Sequence, residues 1–281
     1  FFICAGIFMN YTGVTKRIMD FCEVVTGRLP GGLAQVNVLL STVMGGLSGS
    51  NIADAAMESK MIVPEMTKKG FSLEFSSVVT AASSMITPLI PPGIAMILYG
   101  CIANVSIGKL FISGLGVGGL LCVSMMILVG VVSKKRGYGI LTTEKLTWSK
   151  FWTALKPAIL PLLLPIIIIG GIRLGIFTPT EAGAVAIVYS LVLGVVYKEL
   201  KLKDIGTGLK ETVATTASIM LIVGGASAFA WILTREQIPQ QFTALVLGTI
   251  HNKYLFLFVI ILFLIVVGMF LAVSYTHLTL P

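Results

Sequence analysis

Ser48, Ser50, Asn51 and Asp54 stand together in the segment Gly46-Leu47-Ser48-Gly49-Ser50-Asn51-Ile52-Ala53-Asp54, with apolar sequence on either side. Further along comes Thr87-Pro88-Leu89-Ile90-Pro91-Pro92-Gly93, whose prolines and glycine keep the backbone from staying helical. Hydroxyls, an amide and a carboxylate at bilayer depth, beside broken backbone, are costly in hydrocarbon and mark a pathway for an ion or solute.

The elements that must position these residues belong to a membrane protein. Of 281 residues, 56% are hydrophobic and 11% charged, well below the roughly 25% charged residues of soluble domains; the mean hydropathy is +0.98. The net charge of +8 sits largely in short clusters such as Lys134-Lys135-Arg136 between apolar runs. That pattern fits cytoplasmic loops and disfavours nucleic acid as a partner. Cys4, Cys22, Cys101 and Cys122 are scattered without CxxC spacing, so neither zinc nor a disulfide framework is expected. Phe1 opens inside an apolar run, no signal peptide is identified, and residues 274–281 read as a non-native tail.

Residues 10–28 predict an amphipathic interfacial helix. From Leu33 to Met66, two arms of about 15 residues flank the polar segment; each is short of the roughly 20 needed to cross, which favours a re-entrant helical hairpin. Residues 71–87 and 94–104 predict one broken membrane helix, and 106–133 a long span. Residues 137–156 predict an interfacial segment carrying Lys145, Trp148, Lys150 and Trp152, followed by spans at 157–176 and 182–197. An amphipathic stretch from Lys201 to Glu211 precedes a helix at 213–233, and Tyr254–Val273 is a last apolar run. Placing Lys68-Lys69, the basic residues from Lys134 to Lys156 and those from Lys198 to Lys210 in the cytoplasm gives a consistent topology. Arg28-Leu29-Pro30 before the first hairpin is echoed by Gln237-Ile238-Pro239 before the last run, on the opposite side of the membrane, the inverted repeat of many secondary transporters. The expected fold is an all-α polytopic membrane protein, with an interfacial scaffold segment (1–30), a first hairpin and broken helix (31–104), scaffold spans (105–212) and the start of a second repeat (213–273).

Leu29-Pro30-Gly31-Gly32-Leu33-Ala34, Gly46-Leu47-Ser48-Gly49-Ser50 with Ala53-Asp54, Thr80-Ala81-Ala82-Ser83-Ser84, Pro88-Leu89-Ile90-Pro91-Pro92, Phe177-Thr178-Pro179-Thr180-Glu181-Ala182 and Trp231-Ile232-Leu233-Thr234-Arg235 occur in that order. With these motifs the chain resembles the large membrane subunit of tripartite ATP-independent periplasmic (TRAP) transporters. The resemblance implies an inner (cytoplasmic) membrane protein of bacteria or archaea. It implies sodium-driven uptake of small organic acids, of the C4-dicarboxylate or sugar-acid class, delivered by a periplasmic substrate-binding protein. It further implies an elevator-type movement and a small four-helix membrane subunit. Ala272 departs from the pattern, since the family often carries an acidic residue there, and the second hairpin tip is missing.

Sodium is a hard cation that wants several oxygen ligands, which a loop between half-helices supplies. Ser48, Gly49, Ser50, Asp54 and Thr87 are the candidate sodium ligands; Ser48, Ser50, Asn51, Thr87 and Pro91 are the candidate substrate residues. Helix N-termini near Ser50 and Gly93 would present N–H groups to a carboxylate. The plainer alternative is that Ser48 and Ser50 cap the second arm and Asp54 pairs with a lysine. Glu181 is expected to cap a helix with Thr178, Arg173 to snorkel, and Trp148, Trp152 and Trp231 to anchor at the interface. Two other classes compete. One is a stand-alone sodium/divalent-anion carrier. The other is a rhomboid-like protease using Ser48, which needs a histidine base from His251 or His277.

Overall fold

In a membrane, apolar side chains are at home facing lipid, so it is the polar stripes that send a helix to the inside. The computed structural model describes the backbone of residues 1–141, 147–249 and 252–279, and their side chains except at 245–249, 253 and 270–279. Lys145 and His251 fall outside the described residues. The chain folds into α1 (Phe2–Tyr11), α2 (Val14–Thr26), α3 (Gly32–Ser48), α4 (Asn51–Lys68), α5 (Leu73–Ser84), a 3₁₀ turn (Thr87–Leu89), α6 (Ile94–Ile102), α7 (Ile107–Arg136), α8 (Trp148–Arg173), α9 (Pro179–Val196), α10 (Leu202–Arg235), α11 (Ile238–Thr249) and α12 (Lys253–Thr279). No strand occurs among the described residues. Residues 1–216 form one compact unit and 217–281 another.

Helix α3 is the centre of the first unit. Fourteen of its seventeen residues are buried, against α1, α2, α4, α5, α7, α8 and the 3₁₀ turn. The long apolar helices do the opposite: only 17% of the most apolar window of α7 is buried in the chain, and none of that in α10. Among the described residues four helices, α7 to α10, have the length and apolarity to cross a membrane, and α5 with its turn plus α6, bent by 45°, make a fifth if the pair is one span. The two arms α3 and α4 fall below that standard. Seventeen residues rise about 25 Å, short of a hydrocarbon core of about 30 Å.

Three sequence boundaries differ from expectation. The 10–28 amphipathic helix is broken at Thr12 and Gly13, where Gly13 adopts φ +64° and α2 begins afresh. Trp148 and Trp152 do not precede the next helix as a segment of their own. They open α8, where their rings and that of Phe151 pack together and Phe151 meets Phe21 of α2 edge-on at 5.8 Å. Lys201–Glu211 and 213–233 are one continuous helix, α10, because no proline or capping residue interrupts the hydrogen-bond ladder between them.

At the other end of α7, Tyr138 stacks on Phe71 at 4.5 Å and accepts a hydrogen bond from the Ser72 amide at 3.2 Å. Hydrogen bonding from Ser72, its side chain first and its amide second, pulls the Tyr138 phenol below its ordinary pKa and ties the α4–α5 turn to α7.

Three prolines, Pro157, Pro161 and Pro165, lie inside α8. Pro161 has no N–H, so the carbonyl of Pro157 loses its helical donor. Tyr197 repairs this by donating from Oη to that carbonyl at 2.8 Å, and Tyr189 donates to the Leu160 carbonyl at 2.6 Å. Tyr197 is itself held under the Arg17 guanidinium at 4.0 Å. Tyr197→Phe should therefore destabilise the complete permease by about 1–2 kcal/mol, read as a drop of a few degrees in thermal midpoint in detergent. An unchanged midpoint would mean that water or lipid serves the Pro157 carbonyl equally well.

In the second unit, Phe242 of α11 and Phe263 of α12 lie 5.7 Å apart, and the Arg235 guanidinium sits 5.4 Å over Trp231.

Candidate functional site

The α3–α4 connection is two residues long because Gly49 takes φ +60° and Ser50 turns extended to cap α4. Ser50 Oγ accepts from the Ala53 amide at 3.4 Å, so capping is one of its roles. Asp54 follows in the first turn of α4, where the helix dipole favours a carboxylate. Against this tip lies the break between α5 and α6. The Ile94 amide donates to the Gly49 carbonyl at 3.4 Å, and a Cβ on Gly49 would come within 2.6 Å of the Pro92 carbonyl oxygen. One turn back, a Cβ on Gly45 would meet Ile90 Cβ and the Thr87 carbonyl oxygen, each at 2.8 Å. Glycine is what lets the hairpin and the break touch through backbone.

This approach brings Asp54 and Thr87 together, although thirty-three positions separate them. Thr87 Oγ1 donates to Asp54 Oδ2 at 2.6 Å and lies 3.1 Å from the Ser41 carbonyl. Asp54 is 1% exposed and Thr87 fully buried. No lysine or arginine pairs with Asp54 among the described residues. Asp54 Oδ1 is buried with no hydrogen-bond partner.

The other predicted residues are placed less centrally. Ser48 is buried and its Oγ donates to the Met44 carbonyl at 3.3 Å. Pro91 is buried in the break. Asn51 is exposed and its Oδ1 accepts from the neighbouring Ile52 amide at 3.0 Å, a local contact away from the Asp54–Thr87 pair. Glu181 accepts from the Thr178 amide at 2.7 Å while its own amide donates to Thr178 Oγ1 at 3.3 Å, the reciprocal cap of α9. The side chains of His251 and His277 are outside the described set.

Sequence reasoning missed a polar layer next to the pair. Asn37 and Ser41 of α3, Glu58 of α4, and Thr80 and Ser83 of α5 are all buried. Ser41 Oγ donates to Glu58 Oε1 at 2.7 Å. With its amide nitrogen toward Glu58, Asn37 donates to both carboxylate oxygens, at 3.2 and 2.6 Å, and accepts from Thr80 Oγ1 at 2.7 Å. Ser83 Oγ donates to the Thr80 carbonyl at 3.1 Å. The signal was available: 37 and 41, 54 and 58, and 80, 83 and 87 are helical spacings that align polar groups on single faces.

The model of the family described as the DctM component of the tripartite ATP-independent periplasmic transporter matches residues 1–280. The chain belongs to the DctM permease family. The permease is 41% identical over 272 residues to the sialic acid TRAP transporter large permease protein SiaM of Vibrio cholerae, covering 96% of this chain and 63% of that one. It is 34% identical to the 2,3-diketo-L-gulonate TRAP transporter large permease protein YiaN of Escherichia coli, covering 100% of this chain and 66% of that one. To the C4-dicarboxylate TRAP transporter large permease protein DctM of Pseudomonas aeruginosa it is also 34% identical, covering 98% and 64%. The chain thus spans a little under two thirds of the length of the first of these relatives. Family and apolar helices together place the chain in the inner membrane.

Proposed function

We propose that the complete permease carries out sodium-coupled uptake of small organic acids, handed over by a periplasmic substrate-binding protein and assisted by a small four-helix membrane subunit. The relatives named above are TRAP permeases for sialic acid, 2,3-diketo-L-gulonate and C4-dicarboxylate, which share the carboxylate as a recognition handle. Family membership favours this reading over a stand-alone carrier or an intramembrane protease.

The observation that carries the coupling ion is the Asp54–Thr87 contact with its spare oxygen. A buried carboxylate oxygen without a donor is expensive unless something positive comes to it, and sodium takes oxygen ligands of this kind beside broken helices. Asp54, Thr87, Ser48 and the backbone of Gly49 and Ser50 would hold sodium; the N-terminal amides of α4 and α6 beside Ser50, Asn51 and Pro91 would face the substrate carboxylate. Sodium bound across this seam fastens hairpin to break, so substrate binds better with sodium present, and the coupling is reciprocal. The short arms α3 and α4 form a re-entrant hairpin on this reading. With the broken helix they make the moving part of an elevator.

The test is uptake of labelled sialic acid, C4-dicarboxylates and sugar acids into vesicles holding the complete permease and its small subunit. Uptake requiring both an inward sodium gradient and the binding protein is expected. Sodium-driven uptake without the binding protein would replace this reading by the stand-alone carrier.

A further inference from the structure

Glu58 lies one helical turn beyond Asp54 in α4 and is completely buried. Among the described residues it has no lysine or arginine partner. Its surroundings differ from those of Asp54. Both Glu58 oxygens are engaged, by Ser41 Oγ at 2.7 Å and by the Asn37 amide at 2.6 and 3.2 Å, whereas Asp54 Oδ1 accepts nothing. Ser41 is the link between them. Its hydroxyl is held by Glu58, and its carbonyl lies 3.1 Å from Thr87 Oγ1, which reaches Asp54 Oδ2 at 2.6 Å. Contacts thus run from Glu58 through Ser41 and Thr87 to Asp54, with the single Thr87 hydroxyl proton placed between the Asp54 carboxylate and the Ser41 carbonyl, while Asn37 ties Glu58 to Thr80 of α5.

We propose that Glu58 is a positioning residue for the cation at Asp54: it fixes Ser41 and through it Thr87, and it supplies a negative charge one turn away that attracts the cation without touching it. The inference rests on the sodium reading above. Each Glu58 oxygen already accepts from a donor whereas Asp54 Oδ1 accepts from none, so Asp54 is the better placed ligand and Glu58 the better placed support. An amide or hydroxyl could tie Asn37 to Ser41 at a smaller cost of burial.

Glu58→Gln separates the two roles. A glutamine Oε1 accepts from Ser41, and its Nε2 donates to Asn37 Oδ1 once that amide turns over. Asn37 Nδ2 then donates to Thr80 Oγ1, which lies within 2.7 Å. The hydrogen bonds survive and the charge goes. In the complete permease, equilibrium binding of radioactive sodium and sodium-dependent uptake should both show half-saturating sodium raised at least about tenfold, as expected for losing a charge at this range. The maximum rate at saturating sodium should stay within about threefold, the pattern of a lost binding contribution. Glu58→Asp, which keeps the charge, should lie nearer the parent in sodium affinity than Glu58→Gln. Unchanged sodium affinity in Glu58→Gln, or a larger loss in Glu58→Asp, would overturn the proposal while leaving the sodium site standing, provided Asp54→Asn abolishes sodium dependence. If Asp54→Asn also leaves sodium dependence untouched, the sodium reading fails, and this inference fails with it.

Discussion

Asp54→Ala in the complete permease should raise half-saturating sodium by at least about 100-fold, since a carboxylate and a cation about 4 Å apart in protein surroundings attract by about 4 kcal/mol. Folding should survive. Asp54 has no ion-pair partner to abandon among the described residues, and Thr87 Oγ1 keeps the Ser41 carbonyl as an acceptor, so no buried group is newly orphaned. Thr87→Ala should follow the same direction more weakly and Thr87→Ser should restore most of it, because only the hydroxyl reaches Asp54. Lys60→Ala is the informative neighbour: exposed on the same helix, it should leave sodium affinity within about twofold, in line with ordinary surface substitutions. The sodium assignment is falsified if Asp54→Ala and Lys60→Ala bind sodium alike across a sodium titration.

The second large effect concerns a residue with no functional group. Gly45→Ala places a methyl 2.8 Å from the Thr87 carbonyl oxygen and 2.8 Å from Ile90 Cβ, closer than packed carbons tolerate. Neither neighbour is a flexible side-chain end, so α3 and the 3₁₀ turn must move apart. Overpacking of this kind costs about 1–3 kcal/mol. The functional loss should be larger than that figure suggests, because the same displacement stretches the contact from Thr87 to the Ser41 carbonyl and changes the approach to Asp54. Uptake should fall at least about tenfold, in keeping with the sensitivity of positioned groups to sub-ångström error. Gly116→Ala in α7 is the control. Nothing lies within 4 Å of its added Cβ, and alanine suits a helix interior better than glycine. Equal thermal midpoints and equal transport for the two variants would show that the α3–break contact is not close in the working protein.

Asp54 and Thr87 could be singled out beforehand because each stands beside a feature that hydrocarbon does not forgive: Asp54 at a Ser-Gly-Ser turn, Thr87 before a run of prolines. Their meeting at 2.6 Å could not be read, since spacing along a chain says nothing of which helix ends converge. Glu58 was overlooked for a related reason. Glu58 stands near Lys60 and Glu65, charged residues that draw no separate notice in the second arm, yet Glu58 contacts α3 and is fully buried while Lys60 is exposed. Asn37 and Ser41 are single polar residues in apolar sequence, and each alone is commonplace; only the spacing of four, set against 54 and 58, marks a shared face. The boundary at α8 was obscured by lysines and tryptophans, which read as an interfacial segment although they also suit the first turns of a span. Gly45 carried no legible message, since its role lies in what touches it.

The three prolines of α8 have a mechanical consequence. Spaced four apart, they remove amide hydrogens along a single ridge of the helix and leave the opposite ridge fully laced. Such a rod has unequal stiffness: it yields along the ridge where links are missing and resists bending in other directions. The Tyr197 hydroxyl, just past the end of α9, then acts as a removable pin at one missing link, while Pro165 at the far end of the ridge rests against Gly46 of the hairpin. A flexure of α8 would therefore bear on α3 at Gly46, two residues before Ser48, along a direction set by the prolines.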